Sequence, residues 1–293
     1  MCGLVGLKPS RGRVSLGPDI GEAWMGATID HAVTRTVGDS ATILDCIAGY
    51  EPGDPYAAPV PSGPFASFVG GDPGRLRVAL LDRSALDGFS VDPECSAAVV
   101  ATGSLLEGLG HQVEHGHPAA LGEAEFQMRF IEIVAACGAD DLQFWGSLLG
   151  RTIDDSELEP GNALFAQMGR SIPATRYLED VRWMHAYTRR MAAWWADHDL
   201  LVTPVIASPP PPIGWLSDET EGLQRVIQIL QFTAQFNISG QPAVSLPLHR
   251  TPSGLPVGVQ VVAAYGREDL LLAVAAQLEA VAPWAQLRPP VHA

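Results

Sequence analysis

Lysine is almost absent from this chain: Lys8 is the only one among 293 residues. Lysine and arginine together number 18 against 33 acidic residues, which gives a formal net charge of -15. A nucleic-acid partner requires a basic face that displaces counterions from phosphates. The basic residues form no cluster beyond pairs such as Arg189-Arg190. These features exclude nucleic acid as the expected partner.

Long apolar runs are also missing, since no uncharged apolar run reaches the roughly 18 to 20 residues that a membrane span requires. No basic segment followed by an apolar one stands at the amino end, so no signal peptide is expected. The sequence therefore predicts a cytoplasmic protein with no membrane contact.

Cysteines are few and far apart: Cys2, Cys46, Cys95 and Cys137 form no Cys-x-x-Cys pair. They are predicted to be small buried apolar residues in a reducing compartment rather than disulfide partners or metal ligands. His111, His115 and His117 invite a zinc hypothesis, but no fourth ligand accompanies them, and histidines at strand ends are usually solvated. No metal and no cofactor is expected. A different kind of nucleophilic hydrolase is disfavoured, because no Gly-x-Ser-x-Gly, His-Glu-x-x-His or P-loop motif occurs.

The composition of the chain suffices for a large hydrophobic core, because 47% of the residues are hydrophobic and only 17% are charged. Thr36 and Asp39 predict a capped helix that closes at Gly49. Residues 50–74, rich in proline and glycine, predict a long surface connection. A strand at 77–81, a helix from Asp92-Pro93 to 108–110 and a strand at 111–115 predict a parallel βαβ unit.

The second half of the chain alternates between helical and strand patterns. Residues 123–199 are helical throughout, except for a polar break at 154–161 and a new start near 171–173. Four aromatic residues are predicted to share one core-facing side of a long helix: Trp183, Tyr187, Trp194 and Trp195. Strands at 200–204 and 257–263 and a helix at 268–281 complete an α/β fold. Its sheet should run through Val78, Val113, Leu201, Val244 and Val259.

Two motifs at opposite ends of the chain carry a family resemblance. Residues 2–15 read CGLVGLKPSRGRVS, and residues 232–247 read FTAQFNISGQPAVSLP, followed by GLPVGVQ at 254–260. Both resemble segments of the amidase-signature family. Within that family, the wording from Lys8 to Asp19 resembles the branch that includes 6-aminohexanoate cyclic-dimer hydrolase. The resemblance covers essentially the whole chain and implies one amidase-signature domain over residues 1–293, with a mixed sheet flanked by helices. It also implies that the helical residues 120–199 help to form a substrate funnel.

The resemblance implies Ser/cis-Ser/Lys chemistry, in which a lysine base activates a serine that is otherwise a weak nucleophile. The family's nucleophile precedes the Gly-Leu-Val-Gly segment, and Lys8 occupies a motif position that follows it and is not the base. The expectation is therefore a carboxyl-terminal portion, incomplete at the amino end, that lacks the catalytic front and is inactive alone.

Two functions remain open: an amidase that hydrolyses carboxylic amides, or a non-catalytic remnant or binding protein with an amidase-like fold. No catalytic residue is assigned, and the candidate substrate-binding residues are Cys2, Asn237 and Gly240. The expected partner is a small amide, bound if the amino-terminal segment is supplied. Self-association is also expected, because the segment around Leu4 to Leu7 should lack its cover.

Overall fold

Seven strands form one mixed sheet in the computed structural model, which describes residues 2–218 and 220–288. The strands are β1 (Val5–Lys8), β2 (Val33–Thr34), β3 (Arg77–Leu80), β4 (Gln112–His115), β5 (Leu200–Pro204), β6 (Ala243–Arg250) and β7 (Pro256–Ala263). Their order across the sheet is β2-β1-β6-β7-β5-β3-β4. Strands β4, β3 and β5 are parallel, as the βαβ pattern predicted, and the remaining pairs are antiparallel. The five strands predicted to share a sheet do so.

Eight α-helices flank this sheet within the described residues: α1 (Val37–Ile47), α2 (Pro93–Gly108), α3 (Glu125–Leu149), α4 (Pro160–Ser171), α5 (Ala174–Ala193), α6 (Gly222–Ile229), α7 (Ala234–Ser239) and α8 (Glu268–Val281). Local signals fix two of their starts. The Thr36 hydroxyl accepts from the Asp39 amide at α1, and Asp92 caps α2 ahead of Pro93. No helix in the described part of the chain is long and apolar enough to cross a membrane.

The end of α1 differs from the prediction that Gly49 closes it. The helix ends at Ile47, and Ala48 is already extended. Ala48 forms a bridge with Val14, and the Gly49 amide donates to the Arg13 carbonyl at 3.0 Å. These contacts of Ala48 and Gly49 with the first motif therefore end the helix before Gly49.

Side chains alternate along each strand between two cores, as the period of two in a strand requires. Val78, Leu200 and Val244 belong to one core, which α1, α2 and α8 cover. Ala79, Leu201 and Ala243 belong to a second core on the opposite face, with side chains from α3, α5 and α7. We call these the closed side (the core with α1, α2 and α8) and the groove side (the core with α3 to α7).

Part of the first motif, Val5–Lys8, forms strand β1, which was not among the strands predicted from the sequence. β1 pairs with β2 on one edge and β6 on the other, and Val5 and Leu7 are buried against the closed side. The expectation that the segment around Leu4 to Leu7 lies uncovered is therefore wrong for these two side chains. Helix α1 of the same chain packs against β1 on this side.

Three further expectations are corrected. Cys2 and Cys46 are exposed, and only Cys95 is fully buried, although all four thiols are free. The connection 50–74 is not entirely on the surface, because Phe65 is 3% exposed and packs in the closed-side core. The long aromatic helix ends at Ala193, and Trp194 begins a short 3-10 turn, so the single-helix prediction holds only for Trp183 and Tyr187.

The histidines of β4 and its surroundings do not behave alike. His111 is buried rather than solvated: its ring accepts from the Leu76 amide and contacts the Gln277 side chain of α8 at 3.0 Å. His115 is exposed and lies 3.7 Å from Asp82. The ring of His117 contacts only the Pro118 carbonyl among the described residues. No group of three potential metal-ligating side chains occurs in residues 2–218 and 220–288.

Candidate functional site

A buried ion pair joins the first family-like motif to the start of α8. Arg13 donates to both carboxylate oxygens of Glu268, the first residue of α8, at 3.1 and 3.0 Å, and the Ser10 amide donates to the same carboxylate at 2.8 Å. Both charged side chains are less than 5% exposed. Burial alone would raise the pKa of Glu268, but the Arg13 bonds and charge and the Ser10 amide outweigh it and hold that pKa below its ordinary value.

Arg11, two residues earlier, joins three separate segments. Its Nε donates to the Gly26 carbonyl at 2.6 Å, and its Nη2 donates to the carbonyls of Asn237 and Ile238 in α7. The Arg11 amide donates to the Gly240 carbonyl at 3.1 Å. Arg11 therefore fixes the turn at Gly26 against the carboxyl end of α7.

That turn has an unusual backbone, because three consecutive residues adopt left-handed angles. Trp24, Met25 and Gly26 have φ values of 51°, 58° and 70°. For residues other than glycine this conformation is strained and persists only when surrounding contacts enforce it. Arg11 supplies such a contact, and a Cβ at Gly26 would lie 2.7 Å from the Tyr56 ring. The turn holds Trp24 at the edge of a groove.

The groove encloses about 370 Å³ between α3, α4, α6 and α7. Its walls are apolar, with residues from α3 facing residues from α6. The aromatic and aliphatic lining is Trp24, Phe126, Phe130, Ile131, Val134, Phe165, Leu223, Val226, Ile227, Leu230 and Ala234. A concave apolar cavity of this size, with a few polar groups, is the usual form of a small-molecule site.

Four neutral polar residues complete the lining: Gln127, Thr233, Gln235 and Asn237. Gln235 is 3% exposed, and its Nε2 donates to the Gln231 carbonyl at 2.8 Å. Its Oε1 is buried without a hydrogen-bond partner among the described residues. A buried acceptor left unpaired is costly, but because water cannot reach this oxygen it does not open into the groove.

Lys8, the last residue of β1, lies on the sheet face opposite Val5 and Leu7. Its Nζ donates to the Pro9 carbonyl at 3.0 Å, which is its one hydrogen bond among the described residues. Burial, followed by the nearby Arg11 charge, lowers the pKa of Lys8 to about 7, against a smaller opposing effect of Glu268. The lysine has no serine partner in this part of the molecule, so its geometry is not that of a lysine base activating a hydroxyl.

The three predicted substrate-binding residues do not gather at one place. Asn237 lines the groove, and its backbone carbonyl binds Arg11. Gly240 ends α7 with φ of 79° and packs against Arg11 and Tyr265 behind that helix. Cys2 is exposed ahead of β1, whereas Arg11 and the end of α7 lie beyond the opposite end of that strand. Only Asn237 of the three is brought to the groove, and the substrate role of each stays a prediction.

Sequence reasoning missed Trp24 and Gln235. Gln235 lies within the quoted closing motif, where its place two residues before Asn237 in a short helix was a usable signal. Trp24 gave none, because a left-handed tryptophan depends on contacts with Arg11 and Tyr56 that are remote in sequence.

Comparison with known proteins places these observations in context. A family model described as Amidase matches residues 1–272. The 6-aminohexanoate-cyclic-dimer hydrolases of Paenarthrobacter ureafaciens and of Pseudomonas sp. (strain NK87) are each 38% identical to the chain over 99% of its length. The chain spans 61% of each hydrolase.

Solved structures give the same picture. A structure of 6-aminohexanoate cyclic dimer hydrolase complexed with substrate superposes on 99% of this chain with a TM-score of 0.93, and 62% of that hydrolase is covered. A bacterial aryl acylamidase of the amidase-signature family, 19% identical, superposes with a TM-score of 0.81 over 97% of this chain and 59% of its own length, which supports the fold alone.

Proposed function

Because this chain belongs to the amidase family, we propose that it is part of an enzyme that hydrolyses carboxylic amides. In this proposal residues 1–293 supply the sheet and the groove, and the nucleophilic serine and its lysine base lie outside these residues. The lysine content supports the placement of the base outside these residues. The single lysine, Lys8, donates to a backbone carbonyl and has no serine partner in the described part of the chain.

The groove is the main structural observation in support of the proposed function. It combines a volume of about 370 Å³ and apolar walls with several neutral hydrogen-bonding side chains, which suits the hydrocarbon body and the polar amide of a small substrate. Residues 125–193, which contribute α3 to one wall, fall in the region proposed as a substrate funnel. The cyclic dimer of 6-aminohexanoate is the first substrate to test, because two relatives with 38% identity are named for its hydrolysis.

The test compares two purified proteins. One is the chain of 293 residues, and the other is the same chain preceded by the amino-terminal segment of the Paenarthrobacter hydrolase. We expect the longer protein to hydrolyse the cyclic dimer and a serine-directed inhibitor to abolish the reaction. The chain alone should be slower by several orders of magnitude, because a triad acts as a unit. Inhibitor-sensitive turnover by residues 1–293 alone would contradict the placement of the triad.

A second candidate is a non-catalytic binding protein with an amidase fold, which the near-absence of lysine favours. An inactive longer protein that still binds the cyclic dimer in calorimetry would support it. For both candidate functions we also propose that the protein is cytoplasmic and uses no cofactor. We further propose that the chain self-associates when it is expressed alone.

A further inference from the structure

A cluster of charged side chains joins α3 to α5 behind the groove. We propose that Asp180 of α5 and Glu132 of α3 share one proton, and that this proton fixes α3 against α5. Neither residue lines the groove, and the inference does not depend on the proposed hydrolysis. The shared proton makes the helix packing of the groove side sensitive to pH.

Asp180 is the buried member of the pair. Its side chain is 0% exposed, whereas the Glu132 side chain is 20% exposed. Asp180 Oδ1 accepts from Arg129 of α3 at 2.8 Å, but Asp180 Oδ2 is buried with no donor among the described residues. An ionised carboxylate in this position would leave one oxygen without hydration or a donor. Protonation of Asp180 removes most of that cost.

Glu132 supplies the acceptor for this proton. Its carboxyl group is in hydrogen-bonding contact with that of Asp180, and its Oε2 accepts from Arg176 at 2.9 and 2.7 Å. Two ionised carboxylates in contact repel each other, whereas one proton between them forms a charge-assisted hydrogen bond. Because Asp180 is the more buried of the two, it carries the proton and donates it to Glu132.

The charges around Asp180 favour the protonated pair. Two arginines face more acidic groups than they can neutralise: Arg129 and Arg176 against Glu125, Glu132, Glu179 and Asp180. Burial has the largest effect on Asp180 and raises its pKa. The bond from Arg129 lowers that pKa, and the contact with Glu132 raises it again.

The cluster supports α3 from the side away from the groove. Arg129 and Glu132 project from one side of α3, and the period of 3.6 residues places Phe130 and Val134, which line the groove, on the other. No α5 residue lines the groove within residues 2–218 and 220–288. Loss of the proton should therefore loosen α3 against α5 without removing any lining group.

The first experiment titrates the carbonyl band of protonated carboxyl groups by infrared spectroscopy, from about pH 3 to about pH 7. The difference between the unaltered chain and Asp180→Asn isolates Asp180. We expect the difference band to disappear with a midpoint above pH 3.8, the ordinary pKa of an aspartic acid. A midpoint at or below pH 3.8 would indicate an ordinary ion pair with Arg129 and would overturn the proposal.

Urea denaturation over the same range tests the effect on folding. Because the folded-state pKa of Asp180 is raised, its contribution is fully present below the unfolded-state value of 3.8 and is lost as the pH rises through the folded-state pKa. Relative to Asp180→Asn, which does not titrate, the folded-to-unfolded ratio of the unaltered chain should fall by up to tenfold per pH unit above pH 3.8. A ratio that is constant or rises contradicts the shared proton.

Two further variants complete the design, and circular dichroism verifies that each is folded. Asp155→Asn is the matched control: Asp155 is bonded to Arg170 at the surface, which lowers its pKa, so the same ratio should rise with pH. Glu132→Gln keeps the volume of the partly exposed partner and serves if Asp180→Asn is unfolded. It removes the Glu132 charge and should move the midpoint of the Asp180 band to lower pH, and an unchanged midpoint would overturn the proposal.

Hydrogen exchange locates the effect. Above the infrared midpoint, amides of α3 and α5 should exchange severalfold faster in the unaltered chain than in Asp180→Asn at the same pH, where the intrinsic exchange rates cancel. Amides of α8, on the closed side, should exchange equally in both proteins. Equal acceleration of α8 would show that the proton stabilises the whole fold, and would reject the local link between α3 and α5.

Discussion

The two sides of the sheet are packed differently. On the closed side, α1, α2 and α8 cover the strands with contiguous apolar side chains, and the first motif and α8 are joined by the buried Arg13–Glu268 pair. On the groove side, the helices leave a cavity of about 370 Å³ between them, and one end of α3 carries exposed apolar side chains. From this comparison we predict that substitutions of the buried closed-side pair cost more stability than substitutions at the exposed end of α3.

Removing one charge of the closed-side pair should have the largest effect. In Glu268→Gln the Arg13 guanidinium stays buried without its counterion, and we expect a loss of about 3 to 5 kcal/mol in the free energy of unfolding. Urea denaturation measures it. The control is Glu157→Gln, which breaks an ion pair with Arg151 whose two side chains are 53% and 41% exposed and should cost much less, because solvent screens an exposed pair.

The same pair predicts an acid limit for stability. The folded-state pKa of Glu268 lies below its ordinary value of 4.5, so its contribution is fully present above pH 4.5 and is lost as the pH falls through the folded-state pKa. The acid-induced decrease should be smaller in Glu268→Gln than in the unaltered chain. Equal pH dependence in both proteins would show that the pair does not stabilise the fold.

Lys8 provides the second largest effect, and here too stability rises with pH, but in the alkaline rather than the acid range. Its folded-state pKa of about 7 lies below the ordinary 10.5, so burial of the charged amine opposes folding fully below pH 7. Between pH 7 and 10.5 the folded state is neutral while the unfolded chain is still protonated, and the penalty declines as the pH rises. Relative to Lys8→Met, the unaltered chain should gain on the order of 3 kcal/mol over that range.

Denaturation of both proteins at several pH values between 7 and 10.5 checks this expectation. Tyrosine and cysteine titrations in the same range occur in both chains and cancel in the difference. A constant difference across the range would show that Lys8 is solvated in the folded protein, and that the groove side is wetter around β1 than its packing indicates.

Helix packing on the groove side supplies a third, intermediate effect. A Cβ at Gly169 of α4 would lie 1.9 Å from the Ala135 carbonyl of α3, so Gly169→Ala must separate the two helices, and we expect a cost of about 1 to 3 kcal/mol. Gly161→Ala in the same helix meets no atom within 4 Å and should stabilise by up to about 1 kcal/mol. Thermal unfolding of the two variants should therefore shift in opposite directions.

Sequence reasoning succeeded where the determining contacts are local. Thr36 and Asp92 fixed helix starts because a cap bonds to an amide two or three residues away. It failed at β1, because that strand exists through pairing with β6, more than 230 residues later. The left-handed Trp24 turn likewise depends on Arg11 and Tyr56, and no local pattern reports such contacts.

The smallest effect on stability should come from the exposed apolar end of α3. Trp145 and Leu148 are 55% and 63% exposed, so replacing them by serine removes little buried surface and should change the free energy of unfolding by less than about 0.5 kcal/mol. Exposed apolar patches favour association, so sedimentation velocity of the double variant should show less self-association than the unaltered chain. A loss above about 1 kcal/mol would instead indicate that these side chains are covered in solution, and that the groove side is as closed as the other.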